Sequence, residues 1–427
     1  MRIAVFTDLY LEIAGGIPSS ISAQKRELEK LGHHVTVFCP GFSTPKEENV
    51  VVLPTSKLIK INGAPTTKSP KKVVEFIDKN FPNFKSDFDL IHAHYEAGAS
   101  IAAIMLSKKY KLPLVQTMHG REDMAIAVNV PHPFKTIAGV TLNSFHRHYL
   151  KSYIENPTKV KKDDYLAPTC ARKKMWELMV REANLADKVI TPSQHFADKL
   201  KHYGVSRPIT AVSNGVPDEM ANIRPWKIRT LQKGSDEPLK IIWTSRLSRE
   251  KRILPFLESL KIIKKSTDKF FFTALGDGNE FETSKKFIAE NGLSHNCDLK
   301  GAVPHEDVLS YLEDQHLSII NSYGFDTQGL TILEAAAVGL PVIYCDKDMD
   351  QVVLENGGLR AKDETPEKMA ELILDIIEHP TIIERMSEAC FKNRNEVLQS
   401  TQIKNLLRVY EDALQASPED VSQANLH

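Results

Sequence analysis

The chain has 427 residues, 42% of them hydrophobic and 26% charged, which excludes one small module and wholesale disorder and allows two or three domains at ~150 residues each. Lys plus Arg equal Asp plus Glu at 55 each, yet residues 1–215 hold 30 cations against 20 anions, leaving 25 against 35 for 216–427. The basic half fits an anionic partner (lipid headgroups, nucleic acid or a phosphorylated substrate), or two domains of opposite charge that attract each other. In chain order, short β-branched runs at 3–6, 35–38, 90–92 and 114–116 alternate with amphipathic stretches at 20–31 and 97–108. This is the rhythm of βαβ units in a parallel, doubly wound sheet.

Residues 135–174 break that rhythm and read as a basic insertion. The segment 146–174 holds eight Lys or Arg against three acids, with Tyr149, Leu150, Tyr153, Ile154, Tyr165 and Leu166 interleaved. It reads as an interfacial membrane segment or as a solvated helix pair packed on the domain by those apolar side chains. Lys161, Lys162, Lys173 and Lys174 are its membrane-contact candidates. Pro217, Pro225, Gly234 and Pro238 mark 218–238 as a linker. A second βαβ series follows at 239–243, 270–275, 298–299, 317–320 and 341–345. The expected architecture is therefore α/β with two Rossmann-like domains, 1–217 and 239–415, and a polar, disordered tail at 416–427.

No uninterrupted apolar run approaches the ~20 residues of a membrane-spanning helix, and the opening residues lack the pattern of a signal peptide. Five widely spaced cysteines without a Cys-x-x-Cys pair fit a reducing cytoplasm and no zinc knuckle. His92 and His94 have too few partners for zinc. Asp346-Lys347-Asp348-Met349-Asp350 contains overlapping D-x-D patterns and reads as a solvated loop, so no metal is expected. Gly276-Asp277-Gly278 falls short of a dinucleotide fingerprint.

The chemistry concentrates in the second half. Arg246 and Lys251 follow the run at 239–243 across a turn, so both cations converge on one site at the carboxyl edge of the sheet or stand as surface charge. Asp326 to Glu334 encloses Gly329 and is followed by an Ala-rich helix and a buried strand. Gly329 allows close backbone approach, and a helix starting at Leu330-Thr331 offers free N–H groups and a positive dipole end to a phosphate.

Asp326 and Glu334, eight apart around Gly329, together with Arg246 and Lys251, resemble the E-x7-E motif and Arg/Lys pair of retaining GT-B glycosyltransferases of family 4. Gly15-Gly16, His119-Gly120, Thr191-Pro192-Ser193, Ser213-Asn214-Gly215, Gly276-Asp277-Gly278 and 301–308 extend the likeness over most of the chain. The resemblance implies two domains facing each other across a cleft, the first binding acceptor and the second a nucleotide sugar. It implies Arg246 and Lys251 on the donor diphosphate, Glu334 on the ribose and Asp326 on the transferred sugar. Gly329, Leu330 and Thr331 would supply amides, Gly16 a close approach to the phosphates, Val303 a wall of the base pocket and His119 a contact to the sugar near the reacting centre. Glu12 is a further pocket candidate. Asp326 stands where the family usually has Glu, a loss of one methylene with the charge kept.

The form of the motif at 327–335 is similar to that of bacterial diacylglycerol glucosyltransferases. That likeness implies UDP-glucose as donor, a lipid acceptor at an anionic membrane surface on the cytoplasmic face, no nucleic acid and no tightly bound cofactor. A soluble family member acting on a sugar, small molecule or protein is the alternative, and an idle nucleotide-sugar-binding protein the third. Front-face attack and double displacement both stay open, as does the oligomeric state.

Overall fold

The structure is a computed structural model that describes the chain apart from residues 11–14, 43–44, 46, 62–63, 95–96, 155–157, 162, 164–165, 223–224 and 416–427, with backbone only at 57–61, 64, 305 and 306. Glu12, Lys162, Tyr165 and the tail thus lie outside the described residues. The chain divides into two compact units, Met1–Asn214 with Gln402–His427, and Gly215–Thr401.

Unit 1 holds β1 (Arg2–Thr7), β2 (His34–Pro40), β3 (Val50–Leu53), β4 (Thr55–Ile61), β5 (Ala64–Thr67), β6 (Leu90–His94), β7 (Leu114–Thr117), β8 (Lys188–Thr191) and β9 (Ile209–Ala211). Seven of them form one sheet in the order β3-β2-β1-β6-β7-β8-β9, while β4 and β5 pair with each other. The seven pair in parallel. Such a sheet is covered on both faces, and the side-chain alternation of β1 shows it. Ala4 and Phe6 enter one core with Phe38, Ile91 and Trp176, whereas Ile3 and Val5 enter another with Val35, Val37 and Tyr410.

Unit 2 holds β10 (Leu239–Trp243), β11 (Phe270–Leu275), β12 (Cys297–Gly301), β13 (Leu317–Ile320), β14 (Val342–Tyr344) and β15 (Gly358–Arg360). Their order is β12-β11-β10-β13-β14-β15, again parallel. In both sheets the order reverses beside the first strand, between β1 and β6 and between β10 and β13. At such a switch point the connections leave in opposite directions and open a crevice at the carboxyl ends of the strands.

Two segments differ from the sequence-based expectation. Within 218–238, Met220, Ala221, Trp226 and Leu231 pack on the cores of unit 2; Arg229 is buried, donates to the carbonyls of Glu313 and Leu312 at 2.7 and 3.3 Å, and stacks over Trp226. Buried carbonyls need donors, and this guanidinium serves three, that of Val338 at 3.4 Å included. The second unit, moreover, ends before residue 415. In the helix Gln399–Gln415, residues Ile403, Leu406, Val409, Tyr410 and Ala413 recur at helical spacing and join the core of unit 1.

The basic insertion is open in the sequence between two readings, an interfacial segment and a helix pair packed on the domain. It contains the helices Lys135–Leu150 and Cys170–Leu185, packed so closely that a Cβ on Gly139 would lie 3.0 Å from the Ala171 Cα. Tyr149, Leu150, Tyr153, Ile154 and Leu166, the side chains an interfacial segment would turn outward, pack into the core of unit 1 instead. The exposed apolar residues lie earlier, at Phe134, Ile137, Val140, Leu142 and Phe145. On the helix Lys135–Leu150, Gly139, Asn143, His146 and Leu150 form the buried stripe, so its i+3/i+4 spacing leaves the other apolar residues outside. Lys174 is only partly exposed and pairs with Glu177 at 2.7 Å, whereas Lys161 is exposed and Lys173 half-buried.

Because residues 402–415 cover one face of the first sheet, truncating their apolar stripe opens a cavity in unit 1. Leu406→Ala should destabilise by roughly 2–5 kcal/mol, read as a lowered midpoint of thermal unfolding of the full chain.

Candidate functional site

In unit 2 the charged groups gather at the switch point. β10 ends in Trp243, whose indole N–H donates to the Ser245 carbonyl at 2.8 Å and turns the chain. The loop after β11 braces that turn: the Leu247 N–H donates to the Asp277 carbonyl at 3.1 Å and the Glu280 N–H to the Leu247 carbonyl at 2.9 Å. Two glycines permit the contact. A Cβ on Gly276, whose φ is +141°, would lie 2.3 Å from the Ser245 oxygen, and one on Gly278 2.3 Å from the Leu247 oxygen. Gly276-Asp277-Gly278 is therefore a clamp on the Arg246 loop.

Past a short 3-10 turn, Arg249–Lys251, the Lys251 Nζ lies 2.5 Å from Oδ1 of Asp326, which follows β13. Ser322 donates its hydroxyl to Oδ2 of the same carboxylate. Burial alone would raise the pKa of Asp326, but the charge and hydrogen bond of Lys251, the Ser322 hydroxyl and the charge of Arg246 outweigh it and hold the carboxyl below its ordinary value. Arg246 and Lys251 thus act on one point. Arg246 is 66% exposed and its Nη2 lies 3.2 Å from Oε1 of Glu250. Oε1 also accepts from the Ser248 hydroxyl at 2.7 Å, while the buried Oε2 has no hydrogen-bond partner among the described residues.

Gly329 stands at the N-cap of the helix Leu330–Ala337 with φ +73°, a left-handed conformation that favours glycine. The helix itself supplies no acceptors for its first-turn amides, at Leu330 and Thr331 among others. Glu334 is half-buried one turn further on. Val303, two residues past the edge strand β12, packs partly buried on a core of unit 2. Gly16 opens the helix Gly16–Lys30 in unit 1.

At the switch point of unit 1 lie imidazoles. His119 follows β7 and is buried, with its Nε2 2.8 Å from the His94 Nδ1. The His94 Nε2 is 3.1 Å from the His92 Nδ1, which also meets the Tyr410 hydroxyl at 2.7 Å, and the His92 Nε2 is 2.7 Å from the Thr117 hydroxyl. The four contacts can be met with every ring neutral by protons placed in either direction along this chain, from His119 toward Thr117 or from Thr117 toward His119. Burial, which disfavours the charged form, lowers the pKa of His119 to about 4 and that of His92 to about 3. Burial comes first for His94 as well, followed by the charges of His92 and His119. Beside them Asp8 accepts from the Ala99 N–H at 2.7 Å, at the start of the helix Gly98–Tyr110. Burial raises its pKa to about 6.

Sequence reasoning placed Arg246, Lys251, Asp326, Gly329, Leu330, Thr331, Glu334 and Val303 in the second domain, and the structure brings Arg246, Lys251 and Asp326 together. It missed Ser322 and Glu250, which hold the ionic partners, and the link from His119 through His94 to Tyr410. The i, i+2 spacing of His92 and His94 on one strand face was the available signal. In the Asp346–Asp350 stretch, Asp346 accepts from the Gly324 and Asp348 amides and Asp350 pairs with Arg360 at 2.9 Å. Among the described residues no group of three or more His, Cys, Asp or Glu is arranged to hold a metal ion.

Residues 14–220 match the model of Glycosyltransferase Family 4 and residues 226–393 that of Glycosyl transferases group 1. The chain belongs to family 4 of the glycosyltransferases. Among its relatives is the alpha-monoglucosyldiacylglycerol synthase of Acholeplasma laidlawii, 25% identical over 91% of either chain. The enzyme of that name from Streptococcus pneumoniae is 26% identical over 80% of this chain and 70% of its own. Solved glycosyltransferases share the GT-B fold. One from Rickettsia africae superposes with a TM-score of 0.66 at 18% identity over 97% of this chain and 99% of its own. Anabaena HepE in complex with UDP gives 0.65 at 14% over 96% and 99%.

Within this glycosyltransferase the buried imidazoles should remain neutral through the physiological range. Unfolded histidine takes a proton near pH 6.5 and folded His119 only near 4, so between those values the unfolded state binds more protons and these rings lose stability as pH falls. Asp8, shifted upward, works in the opposite direction. Histidine NMR of the folded chain should show the His119 ring keeping its neutral shifts from pH 8 to pH 5.

Proposed function

We propose that the chain transfers a hexose, glucose from UDP-glucose, with retention of configuration to a lipid acceptor such as diacylglycerol, working at the cytoplasmic face of a membrane. The observation that carries this reading is the convergence of Arg246 and Lys251 on Asp326 beside the helix that starts after Gly329. A nucleoside diphosphate brings negative charge to that point. Each charge-assisted contact contributes roughly 1.5–3 kcal/mol, and the helix start adds about 0.3–1 kcal/mol.

In this reading the cations hold the diphosphate, Glu334 the ribose hydroxyls, Val303 the base, and Asp326 with the amides of Gly329, Leu330 and Thr331 the sugar and phosphate. Gly16 lets the first helix of unit 1 approach the phosphates, and His119 contacts the sugar as a neutral imidazole. Front-face attack needs no protein nucleophile. The acceptor oxygen bonds to the anomeric carbon as the bond from that carbon to phosphate oxygen breaks, and the leaving phosphate oxygen takes the hydroxyl proton. Arg246 and Lys251 stabilise the charge that develops on the diphosphate. No metal is assigned a part.

The lipid acceptor is supported by the two synthases named above and by the exposed stripe from Phe134 to Phe145. No helix among the described residues is long and apolar enough to cross a membrane. Apolar side chains that enter the interface, flanked by cations such as Lys161 and Lys173, would attach the enzyme reversibly.

Two measurements test the proposal. With UDP-[14C]glucose and diacylglycerol vesicles, Arg246→Ala should lose about 100-fold in turnover, by roughly 3 kcal/mol of transition-state stabilisation, with its unfolding midpoint unchanged because the side chain is exposed. Asp326→Ala should abolish transfer and Asp326→Glu keep it, while label passing only to soluble sugars would move the acceptor to that class. In co-sedimentation with anionic vesicles, Ile137→Ser/Phe145→Ser should bind more weakly than the parent, and salt should weaken both. Equal pelleting of parent and variant would remove the stripe from the membrane contact.

A further inference from the structure

Between the helices Lys135–Leu150 and Cys170–Leu185 of unit 1 lies a cavity of about 220 Å³, lined among others by Asn143, Arg147, Lys151, Lys174, Glu177 and Arg181. That volume equals about seven waters of the liquid. Four cations and one acid face it. Glu177 is already engaged, its Oε2 accepting from the Asn143 amide at 3.0 Å and the Lys174 ammonium at 2.7 Å. One nitrogen of Arg181 is not. Arg181 is 4% exposed and its Nη1 has no hydrogen-bond partner among the described residues.

A buried guanidinium N–H without an acceptor is costly, because its hydration is lost and nothing replaces it. Burial lowers the pKa of Arg181 against the opposing pull of Glu177 and Glu182, and the charge of Arg147 lowers it further. An anion with acceptor oxygens would pair that N–H and match the excess of cations around it. A planar carboxylate presents two oxygens in one direction. Here the cations come from separate stretches, Arg147 and Lys151 at the end of one helix and Lys174 and Arg181 along the other, and a tetrahedral group, whose oxygens point in several directions, suits such a spread better than a planar one.

We propose that this cavity is a binding site for a phosphate ester, separate from the sugar-nucleotide site of unit 2 and independent of which acceptor the enzyme uses. The ester is either a phospholipid headgroup or a free sugar or glycerol phosphate. The neighbouring exposed stripe on the helix Lys135–Leu150 makes a headgroup accessible, and the cavity's mouth at the exposed Arg147 and Lys151 admits a soluble ester equally.

The test is calorimetric titration of the full chain with sn-glycerol 3-phosphate and, separately, with monomeric dihexanoyl-phosphatidylglycerol. One saturable site is expected for at least one probe. Its affinity should fall at least ten-fold in Arg147→Ser/Lys151→Ser, whose replaced side chains are exposed and leave the core intact, and likewise in Arg181→Gln. Affinity should be unchanged in Lys85→Ser/Lys111→Ser, which removes the same charge elsewhere in unit 1, and in Lys251→Ala, which disables the proposed diphosphate site. Binding of both probes alike identifies a free ester, and binding of the lipid alone a headgroup. Absence of saturable binding by either probe, or binding that survives Arg147→Ser/Lys151→Ser, overturns the proposal. Loss in Lys251→Ala would place the anion in the other unit and overturn it as well.

Discussion

The reversal of strand order in a parallel sheet governs where this protein can do chemistry. A parallel sheet must be covered on both faces, so its crossovers depart to opposite sides at one point and leave the carboxyl ends of two adjacent strands uncovered. In unit 1 that point lies between β1 and β6, and Asp8 and His94 stand there. In unit 2 it lies between β10 and β13, and Lys251 and Asp326 stand there. Along the rest of the strands most buried positions hold Val, Ile, Leu, Phe and Ala that pack.

The two switch points meet the cost of buried polar groups in opposite ways. Unit 2 keeps a buried carboxylate ionised and compensates it with a lysine, a serine hydroxyl and the nearby Arg246. Unit 1 keeps three imidazoles neutral and satisfies them through one another, Thr117 and Tyr410. The cations that compensate it can be re-paired with an incoming anion, and Arg246, exposed beside Glu250, can take part. A neutral imidazole can hydrogen-bond a hydroxyl without carrying charge of its own. These are the properties asked of a diphosphate cradle and of a sugar contact.

The distribution of charge acquires a physical form in the helices Lys135–Leu150 and Cys170–Leu185. One face of this pair completes the core of unit 1, the other presents Phe134, Ile137, Val140, Leu142 and Phe145, and Arg147, Lys151, Lys174 and Arg181 line the cavity between. Apolar surface beside concentrated cations suits a ligand that is itself apolar at one end and anionic at the other.

The βαβ rhythm and the motif residues from Asp326 to Glu334 were legible in the sequence because each is a local signal, an apolar period, a turn residue, a fixed spacing from a loop into the helix that follows it, and the GT-B class came with the resemblance those residues carry. Arg246 and Lys251 were legible for the same reason, being attached to the end of a strand that the pattern already marked. The tertiary structure alone decided the rest. Tyr410 meets His92 across 318 residues of chain, and no local pattern encodes that contact. Residues 218–238 resemble a linker by composition, yet Arg229 finds its carbonyls only when the helices of unit 2 are assembled. The apolar side chains of 146–174 could have faced lipid or protein. Which they face depends on the rotation of two helices about their axes, and that is set by what packs beneath them, with Gly139 against Ala171 fixing the approach.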